Sequence, residues 1–128
     1  MFKWFGSNKE ATQREEAAVN WKELTSMEQL GQLIEESASR KVIIFKHSTR
    51  CGISRMALRQ FEKEVNSDLN ASLYFLDLIA FREVSNEVAH RFGIIHESPQ
   101  LLLIENGTAI HTASHGRIDG QRVNEMVG

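Results

Sequence analysis

Cys51 is the sole cysteine of the chain. It stands in His47-Ser-Thr-Arg-Cys-Gly-Ile-Ser-Arg-Met-Ala57, after an apolar run and before residues at helical spacing. A thiol at such a strand-to-helix turn meets unpaired backbone N–H groups, which favour an anion by about 0.3–1 kcal/mol. Arg50 and Arg55 add positive charge, and His47 adds more when protonated. Thiolate is the form of cysteine that attacks a disulfide sulfur. Gly52 lets another molecule approach the sulfur closely. Ser54 occupies the place where a two-cysteine redox site carries its second sulfur. Its hydroxyl or its backbone N–H can donate to the Cys51 thiolate, but it cannot attack a mixed disulfide. Any disulfide made by Cys51 therefore takes its second sulfur from another molecule.

The other candidates for chemistry are weaker. His47, His90, His96, His111 and His115 match no zinc-ligand spacing, so no metal site is expected. His90 and His111 read as surface or edge residues of a helix and a hairpin strand. Asp77 reads as a strand-ending carboxylate facing water, and Arg117, after Gly116, as a solvated arginine near the sulfur-facing rim.

Elements that could hold Cys51 in place are legible on both sides of it. Thr25-Ser-Met-Glu28 fits a capping box with Thr25 as N-cap, opening a helix to about Ser39 with Met27, Leu30, Leu33 and Ile34 on one stripe. Lys41–Lys46 reads as a strand buried on both faces, hence central in a sheet. Ile53, Met56, Ala57, Phe61 and Val65 mark a second helix, and Ala71–Leu78 the next strand. A third helix from about Arg82 carries Val84, Val88 and Phe92, with Gly93 as its stop. Two apolar runs around Asn106-Gly107 predict a hairpin with a type I′ turn. Asp119 is placed to cap a last helix with Val123, Met126 and Val127. The order (β)αβαβαββα implies parallel pairing followed by antiparallel strands. The expected fold is α/β, a mixed central sheet of four to five strands flanked by helices.

Composition bounds the function. The 128 residues suffice for one domain, with 41% hydrophobic and 25% charged residues and a net charge of −2. No basic surplus points to nucleic acid. No stretch approaches the roughly 20 apolar residues that span a membrane. Residues 1–19 lack a sustained period and read as a flexible tail, with a frayed helix over 10–18; residues 20–128 read as the domain. No secretory signal is evident, and one cysteine argues against a disulfide-stapled secreted domain. The expected location is the cytoplasm, and the expected state a monomer.

Three separated features resemble the thioredoxin fold: Cys-X-X-Ser after a buried strand, the element order, and Pro99 ahead of the hairpin strands. Pro99 is the only proline of the chain, and an X–Pro bond adopts cis at about 0.5–1 kcal/mol. More narrowly, Phe45–Ala57 and Glu97-Ser-Pro-Gln100 resemble the monothiol bacilliredoxins, redox proteins of the bacillithiol system, from about Trp21 to Gly128. That resemblance implies Cys51 as nucleophile; Arg50, Gly52, Ser54 and His47 are the residues read above as supporting its thiolate. Ser98, Pro99 and Thr49 would bind substrate. It also implies bacillithiol, a low-molecular-weight thiol, as co-substrate, bacillithiolated proteins as partners, and no tightly bound cofactor. Many members read Thr-Cys-Pro-Ile-Ser, where this chain has Arg50 and Gly52 at the first and third places. Ordinary thioredoxins need a second cysteine and a buried carboxylate, and the matching positions here are Ser54 and Phe45. Monothiol glutaredoxins carry Cys-Gly-Phe-Ser and hold an iron–sulfur cluster with glutathione; the Gly-Gly and acidic pair that grips glutathione is missing from Ser114–Asp119. An iron–sulfur carrier and a non-catalytic binding module or redox sensor are the alternatives to an exchange enzyme.

Overall fold

The computed structural model describes residues 19–128, so the reading of a tail with a frayed helix falls outside the described residues, apart from Val19. The elements are β1 (Trp21–Glu23), α1 (Met27–Glu36), β2 (Lys41–His47), α2 (Gly52–Glu64), β3 (Ala71–Asp77), α3 (Arg82–Phe92), β4 (Gln100–Glu105), β5 (Thr108–Ser114), a 3₁₀ turn (His115–Arg117) and α4 (Gly120–Val127). The sheet order is β1-β3-β2-β4-β5. β3 runs parallel to β1 and β2, whereas β4 pairs antiparallel with both β2 and β5. This is an α/β fold built on a mixed five-stranded sheet.

The central position of β2 follows from its residues. Val42, Ile43, Ile44 and Phe45 are all fully buried. Successive side chains of a strand point to opposite faces. Val42 and Ile44 join Leu30, Leu33, Val84 and Val88 in the core under α1 and α3. Ile43 and Phe45 join Phe61, Leu101, Leu103 and Val123 in the core under α2 and α4. Trp21 closes the second core, its ring near those of Phe45, Phe61 and Phe75, and its Nε1–H donates to Glu62 at 2.8 Å.

Two helix boundaries differ from expectation. The N-cap of α1 is Ser26, not Thr25: its Oγ accepts from Gln29 N–H at 3.1 Å. Gln29, not Glu28, closes the box, taking Thr25 N–H at 2.8 Å and donating to Glu23 O at 2.6 Å. The amide of Gln29 can accept and donate at once, whereas a carboxylate only accepts. The helix ends at Glu36 rather than near Ser39. Ser37 is recruited by the distant hairpin turn, its carbonyl accepting from Asn106 N–H and its Oγ from Gly107 N–H.

Other stops follow the sequence. Gly93 ends α3 in the left-handed region at φ 64°. Asn106 and Gly107 both have positive φ, 52° and 75°, as a type I′ turn requires. Asp119 caps α4 by accepting from Gln121 and Arg122 N–H. The stripe assigned to α2 is partly wrong. Phe61 is core, but Ile53 and Met56 are 62% and 72% exposed, and the buried partner in the first turn is Ser54.

Candidate active site

The loops around Cys51 meet at one end of the sheet. Lys46 of β2 lies opposite Gln100 of β4, and Gln100 opposite Ser114 of β5. The exit of β2, the entry to β4 and the exit of β5 are therefore neighbours. The Ser98–Pro99 peptide is cis. The Pro99 carbonyl accepts from His115 N–H at 3.1 Å, which fastens the 3₁₀ turn to that segment.

Cys51 is the N-cap of α2, at φ −115° and ψ 121°. Its N–H donates to Ser48 O and its carbonyl accepts from Arg55 N–H, both at 3.2 Å, so its backbone is held on both sides. The side chain makes no capping hydrogen bond and the residue is partly exposed. The first-turn N–H groups of a helix lack intrahelical acceptors, and the first turn of α2 carries no acidic residue. Arg55 folds back so that Nη1 donates to Thr49 O at 3.3 Å, and Arg50 is exposed. A Cβ on Gly52 would meet only Arg55 Nη2, at 3.8 Å. Space at Gly52 is thus open, and among the described residues nothing demands glycine there.

The side chains of Ser54 and His47 meet each other. The Ser54 side chain is fully buried. Its Oγ accepts from Ser48 N–H at 3.1 Å and lies 2.8 Å from His47 Nδ1. Cys51 is not among the partners of this hydroxyl; it ties the start of α2 to the end of β2. Of the two donors expected from Ser54, that leaves the backbone N–H. Burial pushes the His47 imidazole below its ordinary pKa; the Arg55 charge pushes it further, and Asp77 partly offsets this. His47 is therefore neutral at neutral pH, which leaves Arg50 and Arg55 of the cations expected beside Cys51. Asp77 ends β3 opposite His47 and accepts from Ile79 and Ala80 N–H.

The expected substrate-binding residues differ in exposure, Thr49 being exposed. Pro99 is buried and Ser98 half-buried. The Ser98 Oγ is shielded and has no hydrogen-bond partner among the described residues. Thr49 instead opens onto a cavity of about 450 Å³ on the β3 side of β2, lined also by His47, Phe75, Asp77 and Phe81. Among the described residues no group of three His, Cys, Asp or Glu could hold a metal ion, and no helix is long and apolar enough to cross a membrane.

One set of residues was missed by the sequence reading. Lys46, in the middle of the sheet, is fully buried, and its Nζ lies 2.7 Å from His96 Nδ1. Gln100 beside it donates to Ile95 O at 3.0 Å and accepts from Glu97 N–H at 3.3 Å. Together they pin residues 95–97, just ahead of Ser98–Pro99. The one available signal was a lysine inside an otherwise apolar strand. Burial lowers the Lys46 ammonium to about 8. His96 is also lowered, by burial first and then by Lys46 and Arg82, so neutral imidazole accepts from the ammonium. Between about pH 8 and the ordinary lysine value of 10.5, the unfolded chain holds a proton that the folded chain has released. Stability therefore rises with pH across that window. Lys46→Met is expected to be more stable than wild type by about 1 kcal/mol at neutral pH. That advantage shrinks as pH rises through the window. Denaturant titrations at both ends check it, and a constant difference would show that the lysine is not desolvated.

Comparison with known proteins agrees with this arrangement. The chain is 31% identical to a candidate oxidoreductase with a thioredoxin fold, at a TM-score of 0.72, over 82% of this chain and 91% of that one. It superposes on the thioredoxin of Malassezia sympodialis at 22% identity and TM-score 0.64, covering 85% and 88% of the two chains. For reduced Schistosoma mansoni thioredoxin pre-protein the values are 21% and 0.65, over 85% and 96%. These last two show the fold alone, and with it the thioredoxin-like architecture expected from the element order. Residues 22–123 match the family described as monothiol bacilliredoxin BrxC. With its single, partly exposed cysteine at the start of α2, in a thioredoxin-fold frame, the chain belongs to the monothiol bacilliredoxin family of thiol–disulfide redox proteins.

Proposed function

We propose that this protein removes bacillithiol from protein mixed disulfides, using Cys51 as its only sulfur. The Cys51 thiolate attacks the bacillithiol sulfur of the mixed disulfide. The bond between the two sulfurs breaks, the protein cysteine leaves as thiolate and takes a proton, and a Cys51–bacillithiol disulfide forms. A second bacillithiol thiolate then attacks the bacillithiol sulfur of that adduct. Cys51 thiolate is released, and oxidised bacillithiol departs. The sum is one mixed disulfide plus one thiol giving one protein thiol plus one small disulfide, so electrons balance without another oxidant. We propose that the protein acts as a monomer in the cytoplasm, with bacillithiol as co-substrate and no tightly bound cofactor.

The observation that carries the reading is a partly exposed Cys51 whose side chain makes no capping hydrogen bond, with no second sulfur in the chain able to form a disulfide. Arg50 and Arg55 suit a small thiol that bears carboxylates, and the Ser98–Pro99 segment at the same sheet end offers backbone to an extended partner. The test uses a protein bacillithiolated at one cysteine and intact-mass measurement of both proteins. Transfer of one bacillithiol to wild type is expected, with none to Cys51→Ser, and added free bacillithiol clears the adduct. Failure of wild type to take up the label under these conditions rejects the proposal.

A further inference from the structure

The exposed face of α2 carries more information than catalysis by one sulfur needs. From Ala38 to Phe61 the chain contains no Asp or Glu, although its net charge is −2. Arg50, Arg55 and Arg59 are all exposed within that stretch. None forms an ion pair among the described residues, where the ion pairs are Lys41–Glu105, His90–Glu87 and Arg91–Glu87. A positive field is thus concentrated around the thiol of an otherwise slightly acidic protein. Arg55 and Arg59, four residues apart, share one flank of the helix.

The opposite flank is apolar. Ile53 and Met56 are 62% and 72% exposed, three residues apart on the first two turns. Ile53 lies on the same row as Glu64, which touches Gly120 of α4. The apolar flank therefore faces the side of the 3₁₀ turn and Pro99, and the cationic flank faces away from it. Exposed isoleucine and methionine beside a reactive sulfur, with unpaired arginines across from them, describe a surface that is finished by a partner.

We propose that Cys51 selects protein mixed disulfides whose cysteine is flanked by acidic residues on one side and an apolar residue on the other. The acidic residues meet Arg50, Arg55 and Arg59, and the apolar residue covers Ile53 and Met56. This selectivity rests on the exchange reading above and names the class of protein segment that the same sulfur serves. Charge complementarity of this kind raises association rates by tenfold or more, and salt erases it.

The test compares peptides carrying the same bacillithiol disulfide on a central cysteine, flanked by Asp/Glu, by Ser/Gly or by Lys, with Leu on the other side. Transfer to Cys51 is followed by mass. The acidic peptide is expected to react roughly tenfold faster than the neutral one at low salt, and the basic one slower. The ratio should fall toward one at about 1 M salt, where the screening length is about 3 Å. Arg55→Gln/Arg59→Gln should reduce the same ratio, and Ile53→Ser/Met56→Ser should slow the Leu-bearing peptides relative to Ser-bearing ones. Equal rates for all three charge classes, or a preference that survives the arginine double variant, overturns the selectivity while leaving the exchange reading intact. If no peptide delivers its label to Cys51, the exchange reading itself fails.

Discussion

Ser54→Cys is expected to shorten the life of a Cys51 mixed disulfide by at least about a hundredfold in the absence of free thiol. The two positions are three residues apart at the helix start, where side-chain β-carbons lie about 5–6 Å apart, within a small adjustment of disulfide geometry. The introduced thiol would stand against neutral His47, whose Nδ1 already meets the Ser54 hydroxyl at 2.8 Å and could take the thiol proton. The new thiolate would attack the Cys51 sulfur, expel the small thiol and leave an internal disulfide between positions 51 and 54. An attack within one molecule gains several orders of magnitude over one that waits for a dissolved thiol. The measurement is the decay of a preformed adduct, quenched with acid and weighed. Ser54→Ala is the control, since it removes the hydroxyl without supplying a nucleophile. An adduct on Ser54→Cys that persists as long as on Ser54→Ala would show that the buried site cannot reach Cys51.

Gly120→Ala is expected to cost about 3 kcal/mol of folding stability, the upper part of the range for overpacking a tight contact. A Cβ there would lie 2.7 Å from Glu64 Cβ, 3.0 Å from Val65 N and 3.1 Å from Phe61 O. Two of these atoms are backbone at the end of α2 and cannot swing away. The seam is fastened further by Gly120 N–H donating to Glu64 Oε1 at 3.0 Å and by Asn124 Nδ2 donating to Glu64 O at 2.9 Å. Separating α4 from α2 would break both bonds. Gly52→Ala is the comparison, because its Cβ would meet only a mobile guanidinium at 3.8 Å and should change stability little. Denaturant midpoints decide the matter: if the two variants are equally stable, the close helix seam is not there.

Much of the frame was legible because its signals are local. The apolar run of β2 reports burial on two faces whatever the rest of the chain does. Gly93, Asn106-Gly107 and Asp119 are turn and cap residues whose backbone preferences act within a few positions, and each acts where expected. The misreadings share a different cause. Ile53 and Met56 fit a helical stripe but lie on the outer face, since periodicity identifies a stripe without saying which side the sheet will cover. Thr25 and Ser26 are equivalent N-caps by type, and the choice between them was made by the amide of Gln29 reaching back to Glu23. Ser37 ends the helix as its C-cap and binds a hairpin turn about 70 residues away in sequence.

For the site, one thiol, its place before a helix and the lack of a resolving thiol are properties of residue type and order, and the chain alone determined them. Which groups face that sulfur was decided by the tertiary structure. The fold of the β2–α2 turn set Ser54 against His47, packing buried the imidazole and lowered its pKa, and the pairing of β2 with β4 brought Lys46 up to His96 across about 50 residues of chain. Covalent order carries nucleophilicity and the absence of a partner sulfur; desolvation and hydrogen-bond partnership exist only once distant segments have packed together.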